Sequence, residues 1–202
     1  MTVQSIPVKE LRPAQIAVGR RLVKARRKGL RERIREPQEL VDFILEHPIR
    51  VAAGPRGFFY IIDHHHLALA LLEEGFRTAP VVVLGDLSKL STSEFWKEME
   101  DRGWCYPVDN KGVKKPVSFI PLLLEDMQDD PYRSLAGFVR REGGFLKSQT
   151  PFAEFVWANY YRSLIPLKLV KKDFEKSVRQ AMKLSDDVEA SGLPGYQPKR
   201  DR

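Results

Sequence analysis

"YIIDHHHLALALLEEG", residues 60–75, joins two unlike patterns at a single point. Tyr60–Ile62 belongs to a β-rich run, while Leu67, Leu69, Ala70, Leu71 and Leu72 continue as a helix that stops at Gly75. Glycine suits the left-handed position just past a helix end. Between the two patterns stand Asp63, His64, His65 and His66, which include three of the chain's four histidines. The stretch therefore predicts a strand, a tight turn and a helix N-terminus, with the polar residues gathered at the turn.

Upstream, "IRVAAGPRGFFYIID" predicts a hairpin of two β-rich runs joined by "GPRG". "PQELVDFILEHP" predicts a short helix: Pro37 stands near its start, Leu40, Val41, Ile44 and Leu45 recur at helical spacing, and Pro48 ends it. "SIPVKEL" reads as a first strand stopped by Pro13. "AVGRRLVKARRKGLRERIREP" reads as a basic helix that Gly29 breaks in two. Downstream, "APVVVLGDL" has the β-branched run of a buried strand. After about residue 90 helices dominate: "STSEFWKEMEDRG" with Ser/Thr capping chemistry, then "DDPYRSLAGFVRREGG", with Asp130 as its cap and Pro131 near its start, and "PFAEFVWANYYRSLI". The expected architecture is α+β: a small mixed sheet with helices over residues 1–90, a helical extension packed on it over 91–189, and a disordered tail over 190–202.

The totals narrow the possible functions. A 202-residue chain with 43% hydrophobic and 10% aromatic residues can bury a core, which excludes global disorder. Lysine and arginine number 34 against 27 acids, and the net charge of +7 favours polyanionic partners. The single cysteine, Cys105, excludes an internal disulfide and any multi-cysteine zinc site, and fits a reducing cytoplasm. "MTVQSIPVKELRP" lacks the apolar core of a signal peptide, and no run approaches the roughly 18 apolar residues of a membrane span. The expectation is a cytoplasmic protein with no membrane partner.

The triplet has a direct physical reading. Asp63 is a candidate N-cap, accepting from the amides of residues 65 and 66. The first turn of a helix is the positive end of its dipole and attracts anions, and imidazoles there can donate to phosphate oxygens. Adjacent helical residues point about 100° apart, so three consecutive histidines do not converge on one metal. No metal is assigned. Spacing alone leaves two readings open: histidines that cap or pack beside the sheet, and histidines that face an anion.

Taken together, "LRPAQ…VG", "GP…YIIDHHHLALAL", "DDPYRSLAGFVRREGG" and "TPFAEFVWANYYR" resemble the ParB/sulfiredoxin-like superfamily, and within it the ParB-like nuclease family, over roughly residues 5–165. The resemblance implies a nucleotide-phosphate motif at the strand-to-helix junction. ParB proteins carry a Gly-Glu-Arg-Arg type motif there with CTP, the archaeal free serine kinase an Asp-Gly-His-His-Arg type motif with ADP, and sulfiredoxin a cysteine-containing version with ATP. Asp63, His65 and His66 match the kinase's acid and histidines; His64 stands where that motif has glycine, and Leu67 where it has arginine. The lost arginine removes a bidentate phosphate donor. The motif holds no cysteine for sulfiredoxin chemistry, and no ParB helix-turn-helix is evident.

Further candidates lie downstream. Arg133 and Arg140 are seven apart, two turns along one helix face, and either can supply the missing guanidinium. Glu154 stands among Phe152, Phe155 and Trp157 as a candidate base. The expected site thus has Asp63, His65 and Glu154 in catalytic roles and His64, His65, His66, Arg133 and Arg140 on a nucleotide (ADP, ATP or CTP) with Mg²⁺, serving phosphoryl transfer or hydrolysis. Two alternatives stand beside it. One is a DNA-binding protein or nuclease using "RRLVKARRKGLRERIR", with nine basic residues against one acid. The other is a nucleotide-binding module without catalysis. "DMQDD" (126–130) offers acids but no lysine at a nuclease-like spacing.

Overall fold

Strand and helix meet where the pattern changes. In the computed structural model, which describes residues 3–198, Phe59–Asp63 is a strand, His65–Glu73 is a helix, and Gly75 has φ 78°. The elements run β1 (Val3–Pro7), β2 (Leu11–Pro13), β3 (Ala17–Val18), α1 (Arg20–Arg33), α2 (Pro37–Glu46), β4 (Ile49–Ala53), β5 (Phe59–Asp63), α3 (His65–Glu73), β6 (Thr78–Asp86), α4 (Thr92–Asp101), β7 (Gln128–Asp129), α5 (Pro131–Arg141), α6 (Ala153–Leu164), α7 (Leu167–Lys172) and α8 (Phe174–Ser185). The fold is mixed α+β, with a helical second half. Two compact units divide the chain. The first takes the chain up to Val18 together with Val23–Gln128, and the second takes Gly19–Leu22 and the chain from Asp129 onward.

The first unit is built on a five-stranded mixed sheet in the order β1-β6-β4-β5-β2. β1 pairs antiparallel with β6, β6 parallel with β4, β4 antiparallel with β5, and β5 parallel with β2. The expected hairpin is β4–β5, closed by the Gly54 N–H donating to the Phe58 carbonyl at 2.8 Å. The single first strand expected from "SIPVKEL" is instead two: Pro7 lacks a ladder donor, a 3-10 turn follows at Val8–Glu10, and β1 and β2 lie at opposite edges of the sheet. The expected break at Gly29 does not occur. A mid-helix glycine costs about 1 kcal/mol, and the burial of Val23 and Leu30, two turns apart on one face of α1, outweighs it.

Side chains alternate across this sheet, so its two faces are covered separately. Ile49, Val51, Ile61 and Val81 pack with Leu30 of α1 and Leu67, Ala68 and Leu71 of α3. On the opposite face Ala52, Tyr60 and Ile62 pack with Phe95 and Met99 of α4, Cys105 and Ile120. This second layer keeps α4 and the loop through Gln128 with the sheet, rather than in a helical half beginning at residue 91. Ser91 and Glu94 form a reciprocal capping box at the start of α4, as the Ser/Thr pattern there predicts.

The second unit is helical around Leu135, Val139, Phe145, Trp157 and Tyr161. Asp130 caps α5 by accepting the Tyr132 N–H at 2.9 Å, with Pro131 in the first turn, as the sequence predicts. The segment from Ala190, expected to be disordered, is described to Pro198 and packs there: the Trp157 indole N–H donates to the Pro194 carbonyl at 2.8 Å, and Leu193 and Tyr196 lie against the core. Residues 199–202 fall outside the described chain. Among the described residues no helix is long and apolar enough to cross a membrane.

Candidate functional site

The turn between β5 and α3 is made by His64, whose backbone is left-handed at φ 73°, ψ 27°. That conformation favours glycine and costs a side-chain-bearing residue about 1–2 kcal/mol, so the position at which the kinase-type motif has glycine keeps a glycine-like backbone here. The N-cap expected at Asp63 accordingly falls one residue later, on His64. Asp63 turns its Oδ1 to the His64 N–H at 2.7 Å.

The three histidines then diverge, because successive residues of a first helical turn point in different directions. His65 is 2% exposed, and its Nε2 accepts the Ala14 N–H at 3.1 Å. That bond commits the Nε2 lone pair to β2's end and leaves the ring proton on Nδ1. His64 is half-buried and donates its Nδ1–H to the Pro48 carbonyl at 3.1 Å, which leaves Nε2 3.8 Å from Asp63 Oδ2. His66 is half-buried, and Asp63 is exposed. Of the four expected junction residues, His65 is thus turned inward, and Asp63, His64 and His66 stand at the accessible edge.

Basic side chains that the linear pattern does not flag gather at the same junction. Arg50 of β4 lies opposite Asp63 in the register of the hairpin. His47, just past α2, has its ring centroid 6.4 Å from that of His64. Arg26 of α1 is close enough to act on the His64 charge. Burial holds the His64 imidazole below its usual range, with Arg26 and His47 pushing the same way against the opposing pull of Asp63. Burial works against the Asp63 carboxylate too, but His64, His65 and Arg50 together outweigh it and keep the carboxyl below its usual range. At neutral pH the junction therefore carries an ionised Asp63, a neutral His64 and two guanidinium groups. Two guanidinium groups thus act on the junction from α1 and β4, a long-range convergence that spacing along the chain does not reveal.

The downstream candidates come together in the second unit. Glu154 of α6 lies 3.1 Å from Arg140 and 3.8 Å from Arg133, both on α5. The Arg133 guanidinium also sits 5.1 Å from the Phe155 ring centroid. Beside them, Asp130 Oδ2 accepts from Arg162 at 2.7 Å. Of the other acids of "DMQDD", Asp129 accepts the Arg20 N–H at 2.9 Å. Among the described residues no group of three or more His, Cys, Asp or Glu side chains is arranged to hold a metal ion. The basic run of α1 is partly spent inside the first unit. Arg27 and Arg31 both grip Glu74, at 2.5 and 2.7 Å, and Arg33 stacks on Phe43.

Residues 4–163 match the family model described as "Putative ParB-like nuclease". The chain belongs to that family. The ParB-like match takes in Asp63–His66, Arg133, Arg140 and Glu154. The crystal structure of protein Atu1540 from Agrobacterium tumefaciens is similar over 99% of this ParB-like chain and 100% of its own, with a TM-score of 0.89 at 38% identity. Among curated proteins no match is found.

Proposed function

We propose that this ParB-like protein binds the phosphate groups of a nucleotide, or another phosphate compound, at the β5–α3 junction. One observation carries the reading: Arg50 and His64 act on the Asp63 carboxylate while Arg26 and His47 act on His64, so basic groups from four separate elements meet at the turn into α3. Helix dipole and guanidinium groups act in the same direction on an anion. Asp63, exposed and held ionised, fits the remaining requirement of a Mg²⁺–nucleotide complex, since a nucleotide-bound cation draws most of its ligands from phosphate oxygens and water and takes one or two protein carboxylates. In this reading His66 and His64 face the phosphates, and His65 positions the turn from behind.

Phosphoryl transfer or hydrolysis is the chemistry such a cradle would serve, because positioning and charge neutralisation supply most of its catalysis. The test is a thermal-unfolding panel with ADP, ATP, CTP, GTP and pyrophosphate, with and without Mg²⁺, on wild type, Arg50→Ala and His66→Ala. A ligand near 100 times its dissociation constant should stabilise the wild type by about 2.7 kcal/mol, and both variants should lose most of that gain. Phosphate release or transfer, abolished by Asp63→Asn, would then separate an enzyme from a binding module. No stabilisation of the wild type by any phosphate compound would sink the reading.

A further inference from the structure

The face of the sheet opposite α3 carries a cleft of about 190 Å³ at the hairpin end of β5. It is separate from the junction: Tyr60 opens into it near the start of β5, whereas Asp63 ends that strand. Its lining is chemically one-sided. Arg12 and Arg56 contribute two cations, Tyr60, Thr92 and Ser118 contribute hydroxyls, Phe95 and Trp96 contribute aromatic wall, and among the described residues no acid lines it. Both guanidinium groups act on the Tyr60 phenol, against the burial that pushes its pKa up.

One cation is held by its side chain and the other sits on a fixed turn. Arg12 stacks over Phe58 with its guanidinium carbon 4.4 Å from the ring centroid, and donates to the Lys9 carbonyl at 2.8 Å. Arg56 has φ 62° and ψ 19°, a left-handed backbone that a side chain adopts at a cost, inside a turn whose next residue, Gly57, is also left-handed. Gly54 lets the wall close: a Cβ there would meet Tyr60 at 2.5 Å and Phe95 at 2.9 Å. Tyr60, Phe95 and Trp96 pack with ring centroids 4.5–5.4 Å apart in tilted and edge-on pairs.

We propose that this cleft is a second binding site, which takes a small planar aromatic anion with its ring against Trp96 and Tyr60 and its charge on Arg12 and Arg56. The volume suits one ring with a short acidic group and is too small for a whole dinucleotide-sized cofactor. Aromatic faces reward a flat ring, and two guanidinium groups reward a carboxylate or phosphate. Two sources share this chemistry: a free aromatic carboxylic acid, and the base and phosphate of a nucleoside monophosphate.

Calorimetric titration of the full chain with benzoate and, separately, with AMP and UMP tests the site, using wild type, Arg56→Gly, Trp96→Leu and His66→Ala. Glycine relieves the backbone at position 56, so Arg56→Gly should unfold no lower than wild type while its dissociation constant rises about tenfold or more. Because the junction is itself proposed to take phosphate groups, the titrations are repeated in the His66→Ala background, and heat that persists there but is lost with Arg56→Gly or Trp96→Leu belongs to the cleft. Binding of benzoate alone names the aromatic acid, and binding of the monophosphates alone in that background names the nucleotide. Binding by none of the probes below about 10 mM, or binding in that background that survives both Arg56→Gly and Trp96→Leu, overturns the proposal.

Discussion

His65 Nε2 accepts the backbone N–H of Ala14 at 3.1 Å, a bond that ties the start of α3 to a residue 51 positions earlier in the chain. Both groups are buried, with Ala14 at 0% and His65 at 2% exposure. Removing the imidazole leaves the amide without its acceptor in a dry environment, which costs about 1–3 kcal/mol, with a cavity term added. His65→Ala should therefore lower the urea midpoint clearly, whereas His66→Ala, at a half-buried position, should lower it less. Equal losses in the two variants would remove the structural role assigned to His65.

Protonation of His64 should couple the junction to pH. Its pKa in the folded protein is depressed, so between that value and the unfolded imidazole value the unfolded chain binds more protons. Stability is therefore complete above the unfolded value, near 6.5, and falls as the pH drops through the folded value. A bound phosphate reverses the preference by favouring the imidazolium. Pyrophosphate should thus bind more tightly at pH 6 than at pH 8, with proton uptake measurable as a buffer-dependent heat. His64→Gln should abolish the proton uptake. Affinity independent of pH in the wild type would place His64 away from the anion.

Asp130 is 1% exposed, caps α5 and pairs with Arg162, whose guanidinium lies 5.0 Å from the Tyr132 ring centroid. Breaking such a pair strands a partly buried cation and costs about 3–5 kcal/mol. Asp130→Ala should lose that much stability in denaturant titration, and Asp130→Asn less, because the amide oxygen keeps the cap to Tyr132. An Asp130→Ala protein as stable as wild type would show that the cap and the pair contribute nothing.

Local chemistry was legible in the sequence, and long-range convergence was not. The hairpin, the helix after the histidines, Gly75 at its end, the capping box at Ser91 and the Asp130 cap each depend on residues within a few positions of one another, and all appear in the structure. The separation of β1 from β2 across the whole sheet depends on β6, far downstream, and Pro7 hints only that something must break. Arg26 and Arg50 approach the junction because α1 and β4 pack there, which spacing along the chain does not encode. The histidine triplet misled in one respect: three like residues in a row suggest one task, but the helix turns the middle one inward. Arg133, Arg140 and Glu154, singled out separately, proved to be one ion-pair group of α5 and α6.

The double grip of Arg27 and Arg31 on Glu74 bears on how the charge of this protein is counted. Glu74 lies at the C-terminal end of α3, and its side chain is only 8% exposed. The attraction between a protein and a nucleic acid backbone comes from the small ions that each new contact sets loose, about 0.9 per phosphate neutralised on a duplex. A guanidinium already closed on a carboxylate of its own chain neutralises no phosphate and so displaces none of these ions. The nine basic residues against one acid in residues 20–35 therefore overstate the polyelectrolyte strength of α1, and a salt titration would measure the helix by its unspent charges.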